Sequence, residues 1–174
     1  VLPSLTDLLN PAELANFGFG QGKLTATPVQ IAALISTIAN DGISVSPYLV
    51  EGTTSADGSE ILSHTPRAAG QRVFSVKTAR TLQQMMISVV ENGSGTRAKP
   101  ENGSAGGKTA SAQTGKKDEQ GEELVDAWFS GFYPADHPRY AIVIVNEGKN
   151  SGSRYAAPLF KAICDRLYLS EKYG

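Results

Sequence analysis

Apolar residues recur at helical spacing in three stretches of this chain and gather into strand-like runs in two others. Between Thr27 and Gly42, Ile31, Leu34, Ile35 and Ile38 share one face, which predicts a helix packed on core. Its start is written in Thr27-Pro28-Val29-Gln30: a hydroxyl for an orphan N–H, a Gln to reciprocate, and a Pro where the first helical residue needs no donor. Ser75 caps a second helix to about Asn92, with Val76, Ala79, Leu82, Met86, Val89 and Val90 on one face and Gly93 as its stop. The Met85-Met86 pair reads as core filler. A third helix spans about Ser153 to Leu169, with Ala156, Leu159, Phe160, Ile163 and Leu167 as its stripe and Pro158 acceptable only in its first turns.

Ala127 to Pro134 is aromatic-rich and strand-like, and Tyr140 to Val145 is an unbroken apolar run suited to a strand covered on both faces. Before them, Lys116 to Glu123 is a charge run, a solvated hairpin loop joining two antiparallel strands. Residues 43–73 alternate short extended pieces, Ser46 to Val50 and Glu60 to Leu62, with turn residues such as Asp57-Gly58. Phe17 to Gly22 lacks the preceding strand and the glycine spacing of a dinucleotide fingerprint and reads as a close-packed loop. The pattern predicts an α+β fold, with antiparallel strands in the order Lys108, Trp128, Tyr140 and the last helix across the sheet.

The chemistry concentrates in Lys108-Thr109-Ala110-Ser111-Ala112-Gln113, entered through Gly106-Gly107. A strand that only fills a core carries bulky residues on at least one face; here every side chain beside the lysine is small enough for another backbone to lie alongside. An extended peptide could pair with such an edge. Lys108 would attract a carboxylate, the Thr109 and Ser111 hydroxyls would hydrogen-bond it, and a backbone N–H near Ser111 would face a developing oxyanion. The three side chains are expected to line a groove. A phosphate-binding loop is the rival reading of Gly-Lys-Thr, but position 102, where that motif needs Gly, is Asn, and no apolar helical stripe follows.

Composition adds bounds rather than chemistry. With 174 residues, 40% hydrophobic, 19% charged and a net charge of -1, the chain has the size of about one domain and no basic excess for nucleic acid. Cys164 is a lone thiol within an apolar helical pattern and is expected to be buried and inert. His64 reads as a solvated loop residue and His137 as part of a turn; no cofactor or metal site is indicated. There is no apolar run of about 18 residues and no signal pattern, and the chain opens on Val1. It is expected to be an excised piece.

Gly107-Lys108-Thr109-Ala110-Ser111-Ala112-Gln113 resembles the Lys-Thr-Gly strand of penicillin-binding proteins, in the high-molecular-mass, class B-like transpeptidase branch. Ala110 stands where that family mostly has Gly, and Ser111 where it mostly has Thr. Further resemblances are the Gly20-Gln21-Gly22, Thr27-Pro28-Val29-Gln30 and Ala39-Asn40-Asp41-Gly42 run, Gly93-Ser94-Gly95-Thr96 as the family's Gly-Thr-Gly turn, Trp128 to Pro134, and Ala156-Ala157-Pro158-Leu159-Phe160. Asp126 departs, where a His is frequent. The resemblance implies the β-lactamase/transpeptidase-like fold. It also implies a serine-type D,D-transpeptidase that cross-links peptidoglycan stem peptides of D-Ala-D-Ala type and binds β-lactams. In it Lys108, Thr109, Ala110 and Ser111 bind substrate, Lys108 acts electrostatically, and the Ser111 backbone N–H serves the oxyanion hole.

That mechanism needs a nucleophile in Ser-x-x-Lys and a Ser-x-Asn, and no serine of this chain stands in either. Residues 1–174 are therefore expected to be a partial transpeptidase domain lacking its N-terminal part, inactive alone. The resemblance places the parent at the outer face of the cytoplasmic membrane, in the periplasm or cell-wall space, anchored by a helix outside this chain. Two alternatives stand: a non-catalytic receptor or regulator of the same fold that binds β-lactams or cell-wall fragments, and a structural wall-associated module.

Overall fold

The computed structural model describes residues 2–63 and 70–173, so His64 lies outside the described residues. In chain order the elements are α1 (Leu5–Leu8), α2 (Pro11–Gly18), α3 (Pro28–Ala39), β1 (Gly52–Thr54), β2 (Glu60–Ser63), α4 (Val76–Asn92), a 3-10 turn (Thr96–Ala98), β3 (Gly106–Lys117), β4 (Glu123–Tyr133), β5 (Tyr140–Asn146), a π turn (Gly152–Ala156) and α5 (Ala157–Tyr173).

Local chemistry explains the helix starts. The Thr27 hydroxyl accepts from the Gln30 N–H at 3.2 Å and Gln30 Oε1 accepts from the Thr27 N–H at 2.9 Å, closing the reciprocal cap of α3. Ser75 caps α4 by accepting from the Thr78 N–H at 3.0 Å. α1 and α2 are not among the elements that the residue pattern predicts. They are short, held by caps at Ser4 and Asn10, and Leu5, Leu9 and Leu14 remain exposed, so no buried stripe announces them.

β3, β4 and β5 form an antiparallel sheet in that order. Residues facing each other across the β3–β4 ladder share a side of the sheet, and the two sides bury different clusters. On one, Ala127, Phe129 and Tyr133 pack with Val90 and with Ala156, Ala157, Phe160 and Cys164; the Phe129 and Phe160 rings lie 4.7 Å apart at 54°. On the other, Phe132 packs with Ile35, Ile38 and Met86 of α3 and α4. Burial pushes the Cys164 thiol up to about 12, so it stays protonated and inert.

Gly106 and Gly107 owe their size to these clusters as well as to the edge. A Cβ on Gly106 would enter the Phe132 ring, and one on Gly107 would sit 2.5 Å from the Phe129 ring. Gly131, opposite them, would drive a Cβ into the Gly106 carbonyl.

Four expectations are corrected. Ser46–Val50 forms no strand, since Pro47 offers no N–H to a ladder; β1 lies beyond it and pairs with β2 in a hairpin. β3 runs on to Lys117 through an irregularity after Gln113, shortening the expected charged loop. β5 is an outer strand whose seven residues are all half-buried rather than fully covered. In α5, Leu159 and Ile163 are exposed while Ala157, Phe160 and Cys164 face the sheet, because small residues at Ala156 and Ala157 let the helix seat on that neighbouring stripe.

Gly131→Ala should lower stability by roughly 1–3 kcal/mol, because the opposing backbone cannot yield as a side chain would. The check is the urea midpoint at unchanged slope. A midpoint equal to the parent's would refute this close contact.

Candidate functional site

β3 is an outer strand, and among the described residues no strand pairs with its far edge. The direction of its backbone groups follows from its contacts with β4. The Gly106 carbonyl lies against Gly131, and Ala110 pairs with Trp128 in the ladder, its N and O bordering, with the Trp128 carbonyl, the space a Cβ on Gly152 would take; Gly106 and Ala110 thus turn their hydrogen-bonding groups toward β4. Direction alternates along a strand, so Thr109 and Ser111 present N–H and C=O outward. Two side chains corroborate this: Lys108 Nζ donates to the Thr109 carbonyl at 2.7 Å, and Gln21 Nε2 reaches the Ser111 carbonyl at 3.4 Å.

The strand's start is anchored from several sides. Tyr133 Oη donates to the Asn102 carbonyl at 3.0 Å, the Ala135 N–H to the Ser104 carbonyl at 2.8 Å, and the Glu101 N–H to Asp165 at 2.7 Å. Lys161 bridges Glu101 and Asp165 and, with the Glu101 N–H, holds the Asp165 carboxyl below its usual range against the opposing effect of desolvation. Lys108 is thus the first exposed residue after a pinned entry.

The candidate residues do not share one wall. Thr109 and Ser111 project on the α5 side of the sheet, opposite Phe129 and Ala127, whereas Lys108 projects on the other side and curls round the edge to a carbonyl. They meet at the edge rather than along a groove. A cavity of about 490 Å³ beside the edge takes in Ser111 and Gln113 with Phe19, Gln21 and Asn150, but not Lys108 or Thr109. Among the described residues Lys108 forms no ion pair, so its charge stands uncompensated next to two outward N–H groups. Ala110 has no left-handed backbone, so a methyl group is compatible with its place in the strand.

Both hydroxyls already have partners. Thr109 Oγ1 lies 2.9 Å from Ser94 Oγ, and Ser111 Oγ donates to the Asn150 carbonyl at 3.2 Å. The Asn150 loop is tied back by Asp126, whose carboxylate accepts the Gly148 N–H at 3.0 Å. Sequence reasoning missed Gln21, Ser94 and Asn150 as neighbours of the edge; the first two stood in glycine-flanked turns, while nothing marked Asn150. His137 sits in the turn between β4 and β5, and among the described residues no three His, Cys, Asp or Glu side chains gather to hold a metal. No helix among them is long and apolar enough to cross a membrane.

Known proteins resemble this chain in sequence and in fold. The family model of the penicillin binding protein transpeptidase domain matches residues 5–165. Penicillin-binding protein PbpB of Mycolicibacterium smegmatis is 36% identical over 182 aligned positions, covering 96% of this chain and 27% of that protein. The chain therefore spans about a quarter of that relative's length. The D,D-transpeptidase domain of a peptidoglycan glycosyltransferase from Eggerthella lenta superposes with a TM-score of 0.82 at 29% identity, over 98% of this chain and 42% of that one. Penicillin-binding protein A of M. tuberculosis, solved as an imipenem acyl-enzyme complex, superposes with a TM-score of 0.77 at 28% identity, over 92% of this chain and 35% of that one.

The outward groups make a testable pattern. In hydrogen exchange followed by NMR, the Thr109 and Ser111 amides should exchange faster than those of Ala110 and Ala112, which are bonded to β4. The reverse ranking would mean the ladder is out of register by one residue.

Proposed function

Because this chain belongs to the penicillin-binding protein transpeptidase family, we propose that it supplies the substrate-binding edge of a peptidoglycan D,D-transpeptidase, whose nucleophilic serine lies elsewhere in the parent protein. The observation that carries this reading is the outer edge of β3: outward N–H and C=O groups at Thr109 and Ser111 beside an uncompensated Lys108 ammonium.

A stem peptide ending in D-Ala-D-Ala adds to that edge as a further antiparallel strand. Its terminal carboxylate lies near the Lys108 ammonium and the Thr109 hydroxyl, while the Ser111 N–H faces the oxygen of the carbonyl under attack. When the serine oxygen bonds to that carbonyl carbon, the electron pair moves onto the oxygen, where a fixed donor stabilises it. The C–N bond then breaks, and the terminal D-Ala leaves as an amine carrying the proton taken from the serine. A second stem peptide's amine reverses the sequence and completes the cross-link. β-Lactams carry a carboxylate and a reactive amide and enter by the same contacts. The parent works on the wall side of the cytoplasmic membrane, where its substrate is.

Lys108→Ala in the parent protein should slow acylation by benzylpenicillin about tenfold or more, the equivalent of a charge-assisted hydrogen bond worth ~1.5–3 kcal/mol. Thr109→Val removes a neutral bond worth ~0.5–1.5 kcal/mol and should act in the same direction but less. Unchanged acylation rates in both would refute the assignment.

The chain by itself should form no covalent penicillin adduct, since none of its serines has the Ser-x-x-Lys lysine as a positioned base. Intact-mass measurement after incubation is the check, and a stable single adduct on one of its serines would show that the nucleophile is here.

A further inference from the structure

Beyond Lys108, Thr109 and Ser111, the turn between α4 and β3 brings a third hydroxyl to the edge, and its flanking glycines explain how it is held there. Gly93 ends α4, its N–H donating to the Val89 carbonyl at 3.0 Å, and a Cβ on it would lie 2.9 Å from the Val89 Cα. Gly95 also donates to the Val89 carbonyl at 3.0 Å, and its Cβ would meet the Val89 side chain at 3.0 Å and the Phe129 ring at 3.3 Å. The glycines on either side of Ser94 are pressed onto the last turn of the helix and onto the core ring opposite Thr109. Ser94 is itself exposed and fills no void, yet its Oγ is placed 2.9 Å from Thr109 Oγ1.

We propose that Ser94 is a positioning residue that orients the Thr109 hydroxyl toward the substrate carboxylate, an inference that rests on the reading of the edge given above. Two hydroxyls share two protons, and one is used in the bond between them. If Thr109 donates to Ser94, Thr109 offers an incoming carboxylate only lone pairs. If Ser94 donates to Thr109, the Thr109 proton is free for the carboxylate, and the two bonds run in one direction and polarise each other. An anion at the edge selects the second arrangement. Ser94 thus acts through Thr109 without touching the substrate.

The test uses the parent protein, with benzylpenicillin and its methyl ester, which lacks the anionic carboxylate, as acylating probes. Ser94→Ala should slow acylation by benzylpenicillin about 3- to 10-fold, the effect expected of losing one neutral hydrogen bond. It should leave the slower acylation by the ester unchanged. Ser94→Thr, which keeps the hydroxyl, should restore the parent rate to within about twofold, and Ser94→Ala should add nothing in a Thr109→Val background.

A Ser94→Ala rate equal to the parent's while Thr109→Val slows acylation would overturn this inference and leave the edge assignment standing. Equal slowing with both probes, failure of Ser94→Thr to restore the rate, or additive slowing with Thr109→Val would overturn it too, by showing that Ser94 serves only the shape of the turn. If Lys108→Ala and Thr109→Val are both silent, the reading of the edge fails and this inference fails with it.

Discussion

The arrangement depends on two aromatic rings of one strand, Phe129 and Phe132, that lie over glycines of its neighbour on opposite faces of the sheet. Phe129 joins β3 to α5 through Phe160, and Phe132 joins it to α3 and α4 through Ile35, Ile38 and Met86. Truncating a buried Phe typically costs ~3–5 kcal/mol, so each ring is a large fraction of what holds its layer to the sheet. Gly106 and Gly107 make room for both rings within two residues. The result is a strand clamped at its start and left open further along one edge, where Lys108 emerges.

That clamp bears directly on chemistry. A binding edge is useful only if its backbone groups are fixed before the ligand arrives, since ordering them on arrival would consume binding free energy. Here the entry to β3 is tied to β4 and α5 by Tyr133, Ala135 and Asp165, while the Ser111 side is held by the Asn150 carbonyl. Asp126 takes part by binding the Gly148 N–H. Its carboxylate gives a structural role to a position where the sequence resemblance to transpeptidases offered none.

The two edge hydroxyls differ in what they can offer. Ser111 has spent its proton on the Asn150 carbonyl, so it meets a carboxylate as a donor only after rotating away. Thr109 shares its bond with another hydroxyl, and either can be the donor. Of the two, Thr109 is therefore the readier anion ligand. Gln21 adds a constraint of a different kind, because its amide reaches the Ser111 carbonyl that an added strand would use as an acceptor.

Much of this was legible in the residues. Thr27-Pro28-Val29-Gln30 and Ser75 specify helix starts because a cap is a contact within one turn, and the strand order follows from short hairpin connections. The small, cationic run at Lys108 lies on an outer strand of the sheet, where its residues had suggested an edge open to another backbone, and its family resemblance supplied the expected chemistry. What the chain could not reveal alone was which hydroxyl meets Ser94 or Asn150, that Lys108 leaves the sheet on the side opposite Thr109 and Ser111, and that α5 would leave Leu159 and Ile163 exposed. Periodicity and capping are properties of neighbours in sequence. Hydrogen-bond direction at an edge and the choice between adjacent apolar stripes are set by partners far along the chain, and those partners exist only once the sheet and its helices have come together.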